Sequence, residues 1–395
     1  MSVVLSASVR QNLLSLQSTA DLLATTQNRL SSGKKVNTAL DNPTNYFTAA
    51  GLDNRASDIN NLLDGIGNGV QVLQAANTGL TSLQKLVDTA KSIANQVLQT
   101  TAGYSPKSSV TSGANAGGTS ANLLGATLAQ GDVLTIAATG GGTASSITFG
   151  TGAAEVDTLN ELNAALAPNN LQASVDDTTG KITITTINDA ASATVGALAG
   201  TATGAGKAFL PASVVTVAPV ADAASQTIRS NLVAQYNNII AQITTTAQDA
   251  SFNGINLLNG DDLKLTFNET GKSILNIKGV TFGAAGLGLA SLVAGTDFLD
   301  NASAKATIAK ISNASDMLRT QASSLGSNLS VVQIRQDFNK NLINVLQNGS
   351  ANLTLADTNE EAANSQALST RQSIAVSALA LANQSQQSVL QLLRT

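Results

Sequence analysis

The chain has 395 residues, enough for two or three domains, with 21 basic and 25 acidic side chains and a net charge of −4. It contains no Cys, His or Trp, which excludes disulfides, thiolate and imidazole metal sites, and catalysis by cysteine or histidine. Lysine and arginine are scattered, so neither nucleic acid nor an anionic membrane is an expected partner. The sequence predicts no enzyme, no catalytic or metal site and no cofactor.

The first thirty residues predict an amphipathic helix. Apolar side chains recur there at steps of three and four residues, which gives a helix one apolar seam. Gly33 predicts the end of this helix, and the polar residues after it predict a linker. The seam consists of Val9, Leu13, Leu16, Ala20, Leu23 and Leu30.

A second, much longer helix is predicted to begin at Asn42-Pro43, where Asn42 suits the N-cap and Pro43 the first turn. More than six heptads of apolar residues follow without a proline, which predicts a rod. Gly65, Gly67 and Gly69 interrupt it. Because no strand precedes these glycines and no Lys-Ser or Lys-Thr follows, we interpret them as a close helix approach or a flexible point rather than a nucleotide-binding loop.

Residues 101–221 differ in composition from the rod, since they are rich in Gly, Thr, Ser and Ala. Alternating apolar and polar residues predict strands at 132–136, 146–149, 171–175 and 181–185, and a short helix is predicted at 156–166. This segment is therefore expected to be a small α+β domain inserted into a helical protein. Asp176 and Asp177 are oxygen donors suited to calcium, but a solvated turn is the preferred interpretation.

The helical pattern resumes from Asp222 to about Ala250. Strands at 263–267 and 274–280 then predict a β-hairpin. A last rod follows from about Ala302 and is predicted to end at Asn348-Gly349. The fold class expected from these elements is mainly α, with a long coiled-coil-like helical hairpin formed by the N- and C-terminal regions, a β-hairpin and the small inserted α+β outer domain.

The last forty residues carry a second apolar seam, spaced like the first. Because a two-helix hairpin cannot cover both of its faces, the paired ends are expected to bury their remaining leucines against further copies. One seam offers on the order of 10 kcal/mol gross, whereas ordering a residue costs about 1–2 kcal/mol in backbone entropy. The ends are therefore predicted to be largely disordered in the free monomer. This seam consists of Leu368, Ala375, Leu379, Ala382, Val389 and Leu393.

Four short motifs resemble those of the bacterial flagellins, the subunits of the flagellar filament. Residues 27–37 are similar to the family's arginine-leucine-serine-serine-glycine motif, and residues 380–384 and 389–394 are similar to its closing motifs. Residues 252–258 match the segment that leads into its core hairpin. The resemblance covers roughly residues 1–100 and 222–395, but here the insert precedes the 252–258 motif, so the family's outer-domain fold is not carried over.

The resemblance implies an architecture and a function. Residues 1–42 and 349–395 would form inner-tube helices with their linkers, 43–100 and 222–348 an outer-tube domain, and 101–221 a variable domain facing solvent. The chain would be secreted unfolded through the flagellar type III apparatus, without a cleaved signal peptide, and polymerise into an extracellular filament for motility. Expected partners are further copies, an export chaperone, the filament cap and the hook–filament junction proteins. The alternatives are a hook–filament junction protein, or a minor flagellin with a surface- or glycan-binding insert.

Two sets of residues follow from the resemblance and the seams. Residues 83–90 align with the stretch that the vertebrate flagellin receptor reads, of which Gln84, Lys85, Asp88 and Thr89 are the candidate contacts. Since Val87 and Thr89 replace a basic residue and a leucine, weak or absent activation is expected. Arg29 and Arg394 are expected to be polar partners at the margins of the tube. The candidate filament contacts are Leu5, Val9, Leu13, Leu16, Leu23, Leu379, Leu381, Val389, Leu390, Leu392 and Leu393.

Overall fold

The computed structural model of the chain describes residues 7–392, without the side chains of Ser8, Gln386 and residues 389–392. Long helices dominate this part of the chain. The expected fold class is confirmed, because the protein is mainly helical, long helices from the two ends of the chain pair, and a β-sheet region is inserted between them in the sequence. The long helices are α1 (Ala7–Ser32), α2 (Pro43–Gln99), α4 (Ala223–Asp249), α5 (Asn301–Thr354) and α6 (Thr358–Leu392).

The described residues form two compact units, and the division runs through α2 and α5. The first unit contains the chain up to Val70, residues 264–276 and the chain from Ser330 onward. The second contains residues 71–263 and 277–329. The domain boundaries expected near residues 42, 100, 221 and 348 stay a prediction.

The insert in the second unit is built from two antiparallel sheets and a short helix. Its strands are β1 (Ser109–Thr111), β2 (Val133–Ile136), β3 (Ser145–Thr148), β4 (Leu171–Asp176), β5 (Lys181–Thr186), β6 (Leu198–Ala199) and β7 (Val215–Val217). One sheet has the order β4-β5-β1-β7 and the other the order β3-β2-β6. The sequence pattern does not predict β1, β6 and β7, because two or three residues are too few to show an alternation.

The helix of the insert, α3 (Leu159–Leu166), begins three residues later than predicted. Thr158 is its N-cap and accepts a hydrogen bond from the backbone N–H of Glu161, whose carboxylate accepts one from the N–H of Thr158. This capping box fixes where the helix starts. Leu162 and Leu166 of α3 are fully buried in the core of the insert, together with side chains from both sheets.

In the first unit, the end of α5 differs from the prediction, which placed a helix stop at Asn348-Gly349. The helix continues to Thr354 because Ser350 and Thr354 keep the inward spacing and are both buried. Gly349 lies where α5 passes close to α2, since a Cβ atom placed on it would lie 3.3 Å from Leu52 Cδ1. Here the glycine permits close packing instead of ending the helix.

The predicted β-hairpin is confirmed as β8 (Leu263–Thr266) and β9 (Ile274–Ile277), which form a two-stranded sheet. The second strand is three residues shorter than predicted, because the chain beyond it pairs with the segment before β8, where the N–H of Val280 donates to the Leu257 carbonyl at 2.8 Å. In the first unit, Gly69 of α2 lies directly against the hairpin, since a Cβ atom placed on it would lie 2.4 Å from Leu265 Cδ2. Close approach is therefore the reason for Gly69, while Gly65 and Gly67 face open space within the described chain.

A buried arginine that no sequence motif indicated connects three segments of the second unit. The Arg229 guanidinium is almost completely buried in α4 and donates to the carbonyl oxygens of Phe298, at 2.9 Å, and Thr101, at 3.1 Å. It also donates to Asn301 Oδ1 at 3.1 Å. These bonds compensate the buried guanidinium for its loss of hydration. They also connect the segment after α2, the loop before α5 and the start of α5 to α4.

Candidate assembly surface

The two terminal helices, α1 and α6, pack along each other in the first unit. Among the described side chains of the pair, only Val9 and Thr26 of α1 and Glu361 of α6 are buried. Arg29 Nη1 lies 3.4 Å from Glu361 Oε1, so its partner in the single chain is the other terminal helix. The Arg29 side chain is 37% exposed to water, which limits the pair to about 1 kcal/mol or less.

The linkers on either side of the pair are hydrogen-bonded to each other. Gly33 ends α1 with a φ of +68°, a left-handed conformation that glycine adopts without steric cost. The N–H of Lys35 donates to the Thr354 carbonyl at 2.7 Å, and the N–H of Ala356 donates to the Gly33 carbonyl at 3.0 Å. These two bonds hold the exit from α1 beside the exit from α5.

The predicted filament contacts that the structure describes are mostly half-covered by the helix pairing. Val9 is buried, Leu16, Leu23 and Leu379 are half-buried, and Leu13 is slightly more exposed. Leu381 is the most open of them, with 69% of its surface exposed. The seam read from the sequence therefore serves partly as the contact between α1 and α6. The side chains of Val389, Leu390 and Leu392, and all of Leu5, Leu393 and Arg394, lie outside the described residues.

A second set of apolar side chains on the pair faces away from the partner helix. Leu14 and Leu22 are eight positions apart on α1, and Ile374 and Leu381 are seven apart on α6, so each couple occupies one helix face. Val376 lies about 200° around α6 from Ile374, and we call these five exposed apolar side chains of the helix pair the terminal patch. All five are more than half exposed, up to 69% for Leu381. An apolar surface of this kind on a folded chain marks an interaction site.

A signal for this patch was present in the sequence. Leu13-Leu14 and Leu22-Leu23 are adjacent leucines, and successive helix positions are separated by about 100°. If one leucine of each couple faces α6, the other points about 100° around the helix from that contact. The sequence seam included Leu13 and Leu23 and omitted Leu14 and Leu22, which are the more exposed members.

The segment aligned with the receptor contact lies on α2 in the second unit. Gln84 is half-buried and its Nε2 donates to Ser315 Oγ of α5 at 2.6 Å, so its amide is occupied within the chain. Lys85, Asp88 and Thr89 are exposed. Thr89 also lines a groove of about 460 Å³ between α2 and α4, next to Ile93 and Gln96. The segment thus presents one basic and one acidic side chain, Lys85 and Asp88, beside Thr89.

The described residues carry no cluster of three or more His, Cys, Asp or Glu side chains arranged to bind a metal ion. Within residues 7–392 there is also no helix of sufficient length and hydropathy to cross a membrane. What the chain does present is the terminal patch, on two helices that the fold brings together from opposite ends of the sequence.

The fold and the terminal patch define a class of structural protein, in which long helices pair the two ends of the chain and a β-rich region is inserted between them in the sequence. Residues 6–115 match the family model for the bacterial flagellin N-terminal helical region. Residues 308–393 match the model for the bacterial flagellin C-terminal helical region. The chain belongs to the bacterial flagellin family, as the sequence motifs predicted, and this is a family of structural proteins without enzymatic activity.

Curated relatives agree with this assignment. The chain is 34% identical over 165 residues to flagellin FljM of Caulobacter vibrioides, and 33% identical over 165 residues to flagellin FljK of the same organism. These matches cover 41% of this chain and 59% of each relative. Flagellin A of Rhizobium meliloti is 35% identical over 124 residues, which are 31% of this chain and 27% of that protein. The chain thus spans about three fifths of the length of the Caulobacter relatives.

Proposed function

We propose that the chain is a structural subunit of the bacterial flagellar filament, an extracellular polymer used for motility. One observation carries the proposal: the terminal patch stays exposed in the single chain, and it lies in the two segments that match the flagellin family. A surface that is apolar, helical and assembled from both chain ends is suited to burial by identical neighbours.

The mechanism is helical polymerisation. Burying five patch side chains is worth on the order of 10 kcal/mol gross, which must exceed the entropy lost on association. One copy would offer its patch to a different surface of the next, which is a heterologous contact, and such contacts propagate into a helical filament when the rotation between copies does not close a ring. The sparse charge of the chain, 12% of residues, keeps repulsion between packed copies low.

The same proposal assigns roles to the predicted domains. Residues 1–42 and 349–395 form the inner tube with its linkers, 43–100 and 222–348 the outer tube, and 101–221 the domain exposed to solvent. The linker of the C-terminal part begins at Leu355, after α5 ends. The further partners in this proposal are an export chaperone, the type III flagellar apparatus, the filament cap and the hook–filament junction proteins.

Seeded polymerisation of the purified protein tests the proposal. Electron microscopy is expected to show tubes from the wild-type chain. In the Leu14→Asn/Leu381→Asn double variant, loss of two leucines that the polymer would bury raises the critical concentration by at least about 100-fold. Val215→Asn is the matched control, because Val215 is similarly exposed but belongs to strand β7 of the insert. A wild-type chain that forms no tubes, or a double variant that polymerises normally, overturns the proposal.

We also propose that the vertebrate flagellin receptor responds weakly to this chain. Val87 and Thr89 stand in place of the basic residue and the leucine of the family pattern, Val87 is buried, and the amide of Gln84 is bonded to Ser315. A reporter-cell assay with purified monomer is expected to give a response near background. A strong response would contradict the proposal that the receptor responds weakly to this chain.

A further inference from the structure

The linker between α1 and α2 displays a leucine that has almost no contact with its own chain. Leu40 is 95% exposed, more than any other large apolar side chain among the described residues. Scattered leucines on a protein surface are ordinary, but they normally rest part of their side chain on the protein. Leu40 instead projects from a turn.

The turn that carries Leu40 is held by a dense set of hydrogen bonds. Asp41 Oδ2 accepts from the N–H of Asn37 at 3.0 Å, from the N–H of Thr38 at 2.8 Å and from the Thr38 hydroxyl at 3.1 Å. The N–H of Asp41 in turn donates to the Thr38 carbonyl at 3.2 Å. These donors lower the pKa of the Asp41 carboxyl, so it is ionised and accepting at neutral pH.

The turn is also fixed to the rest of the first unit. Val36 is buried just before it, and the N–H of Val36 is bonded to the Thr354 carbonyl at 3.3 Å. At its other end, Asn42 Oδ1 accepts from the N–H of Asn45 and caps α2. Leu40 is therefore presented on an ordered support, and binding it would require little further ordering of the backbone.

Two more apolar side chains are exposed at the same junction. Phe47, in the second turn of α2, is 65% exposed, and Leu355, at the bridge between the two linkers, is 50% exposed. Together with Leu40 they form what we call the linker patch. It is separate in sequence from the terminal patch, which lies on α1 and α6.

We propose that Leu40 is a contact residue that packs against a neighbouring copy of this chain when the filament forms. The inference rests on the proposed function and names a second surface for it. A copy is the fitting partner because the first unit also exposes a helical apolar row on α5 that can receive such a side chain. That row consists of Val331, Ile334, Phe338 and Val345.

The row on α5 does not serve Leu40 of the same chain. Thr354, which is bonded to the linker, lies nine residues beyond Val345, the nearest member of the row, or about 14 Å along the helix. With 95% of its surface exposed, Leu40 packs on neither its own row nor any other described surface. A contact between two different uncovered surfaces of the chain is heterologous, the type of contact from which helical filaments are built.

The absence of native cysteine makes a direct test possible. Leu40→Cys chains are mixed at about one part in twenty with wild-type chains and polymerised from seeds, and the rate of maleimide labelling is compared between monomer and polymer. Burial by a neighbour predicts at least a roughly tenfold slower reaction in the polymer. Val215→Cys, on strand β7, is the matched control and is expected to react at equal rates in both states.

A second variant separates contact from accessibility. Leu40→Ser should leave the helix content and melting temperature of the monomer unchanged, because the side chain makes almost no contact there, and should raise the critical concentration about tenfold. If filaments form and the Leu40→Cys variant labels equally fast in both states, or Leu40→Ser polymerises like wild type, the inference fails while the proposed function stands. If wild-type chains form no filament, both fail.

Discussion

The inserted domain and the terminal helix pair show how similar residue types can produce opposite structures. In the insert, side chains from two sheets and α3 form a continuous core, which includes Leu134, Ile136, Phe149, Leu162 and Ile184, all without exposed surface. In the pair, Val9 is the only buried apolar residue whose side chain is described. The leucines of the insert stabilise the single chain, whereas those of the pair are available for a partner.

The difference follows from the number of layers that each region supplies. A sheet or helix buries its apolar face only against another layer, and the insert has two sheets and a helix to do so. The terminal pair has two helices, which cover one face of each other and leave the opposite faces open. Its remaining apolar surface can be buried only by another molecule.

The largest effect expected from this comparison is in the core of the insert. Phe149→Ala removes a fully buried ring, so the insert should lose about 3–5 kcal/mol of stability. Leu22→Ala in the terminal pair is the matched change, because Leu22 is more than half exposed, and it should cost the monomer less than about 0.5 kcal/mol. Chemical denaturation followed by circular dichroism and insert-specific proteolysis measures both. Equal losses would remove the distinction between the two regions.

The stability of the helical part of the second unit should depend on pH, through a buried tyrosine. Burial raises the pKa of Tyr236 to about 12, from an ordinary value of 10.0. The folded chain therefore holds the phenol proton more tightly than the unfolded chain does. The contribution of this proton to the free energy of unfolding is fully present below about pH 10 and is lost as the pH rises from about 10 to about 12. The loss amounts to about 2–3 kcal/mol.

Tyr236→Phe is the control for the pH effect, since it keeps the ring that packs edge-on against Phe298 and removes the ionisable group. Unfolding midpoints measured from about pH 8 to about pH 12 should fall more steeply for the wild-type chain than for the variant. Parallel pH profiles would show that Tyr236 is not buried in its protonated form.

A smaller effect on stability is expected in the first unit, at the place where α2 packs closely against the hairpin. Gly69→Ala would force its methyl group onto Leu265 and should cost about 1–3 kcal/mol. Gly65→Ala, four residues earlier in open space, should instead stabilise α2 by about 0.5–1 kcal/mol. Thermal unfolding of the two variants checks these opposite signs. The same sign for both would mean that helix propensity, and not close packing, decides at this position.

Much of the helical architecture was predictable from the sequence, because apolar periodicity persists over many turns in α2 and α5. The ends of individual helices and the short strands were harder to predict. Gly349 resembles a helix stop, yet α5 continues through it, because buried Ser350 and Thr354 maintain the inward spacing. In the insert, strands such as β1 and β7 are held by neighbouring strands rather than by a pattern of their own.

The candidate surface was only partly predictable. Periodicity identified a seam on each terminal helix, but it could not decide which side of the helix faces its partner. The adjacent leucines at 13–14 and 22–23 made two faces possible, and the structure places Leu14 and Leu22 outward. Leu40 belongs to no repeating pattern, so its exposure was visible only once the linker turn was folded.

Hydrogen exchange on the dilute monomer and on the assembled polymer tests the central claim most directly. In the monomer, amides of α1 and α6 should exchange at least roughly 100-fold faster than those of strand β5 in the insert, because few side chains hold the pair together. In the polymer, the same terminal amides should become as protected as the insert core. Strong protection of both terminal helices in the dilute monomer would contradict the account, since the pair would then be stable without neighbours.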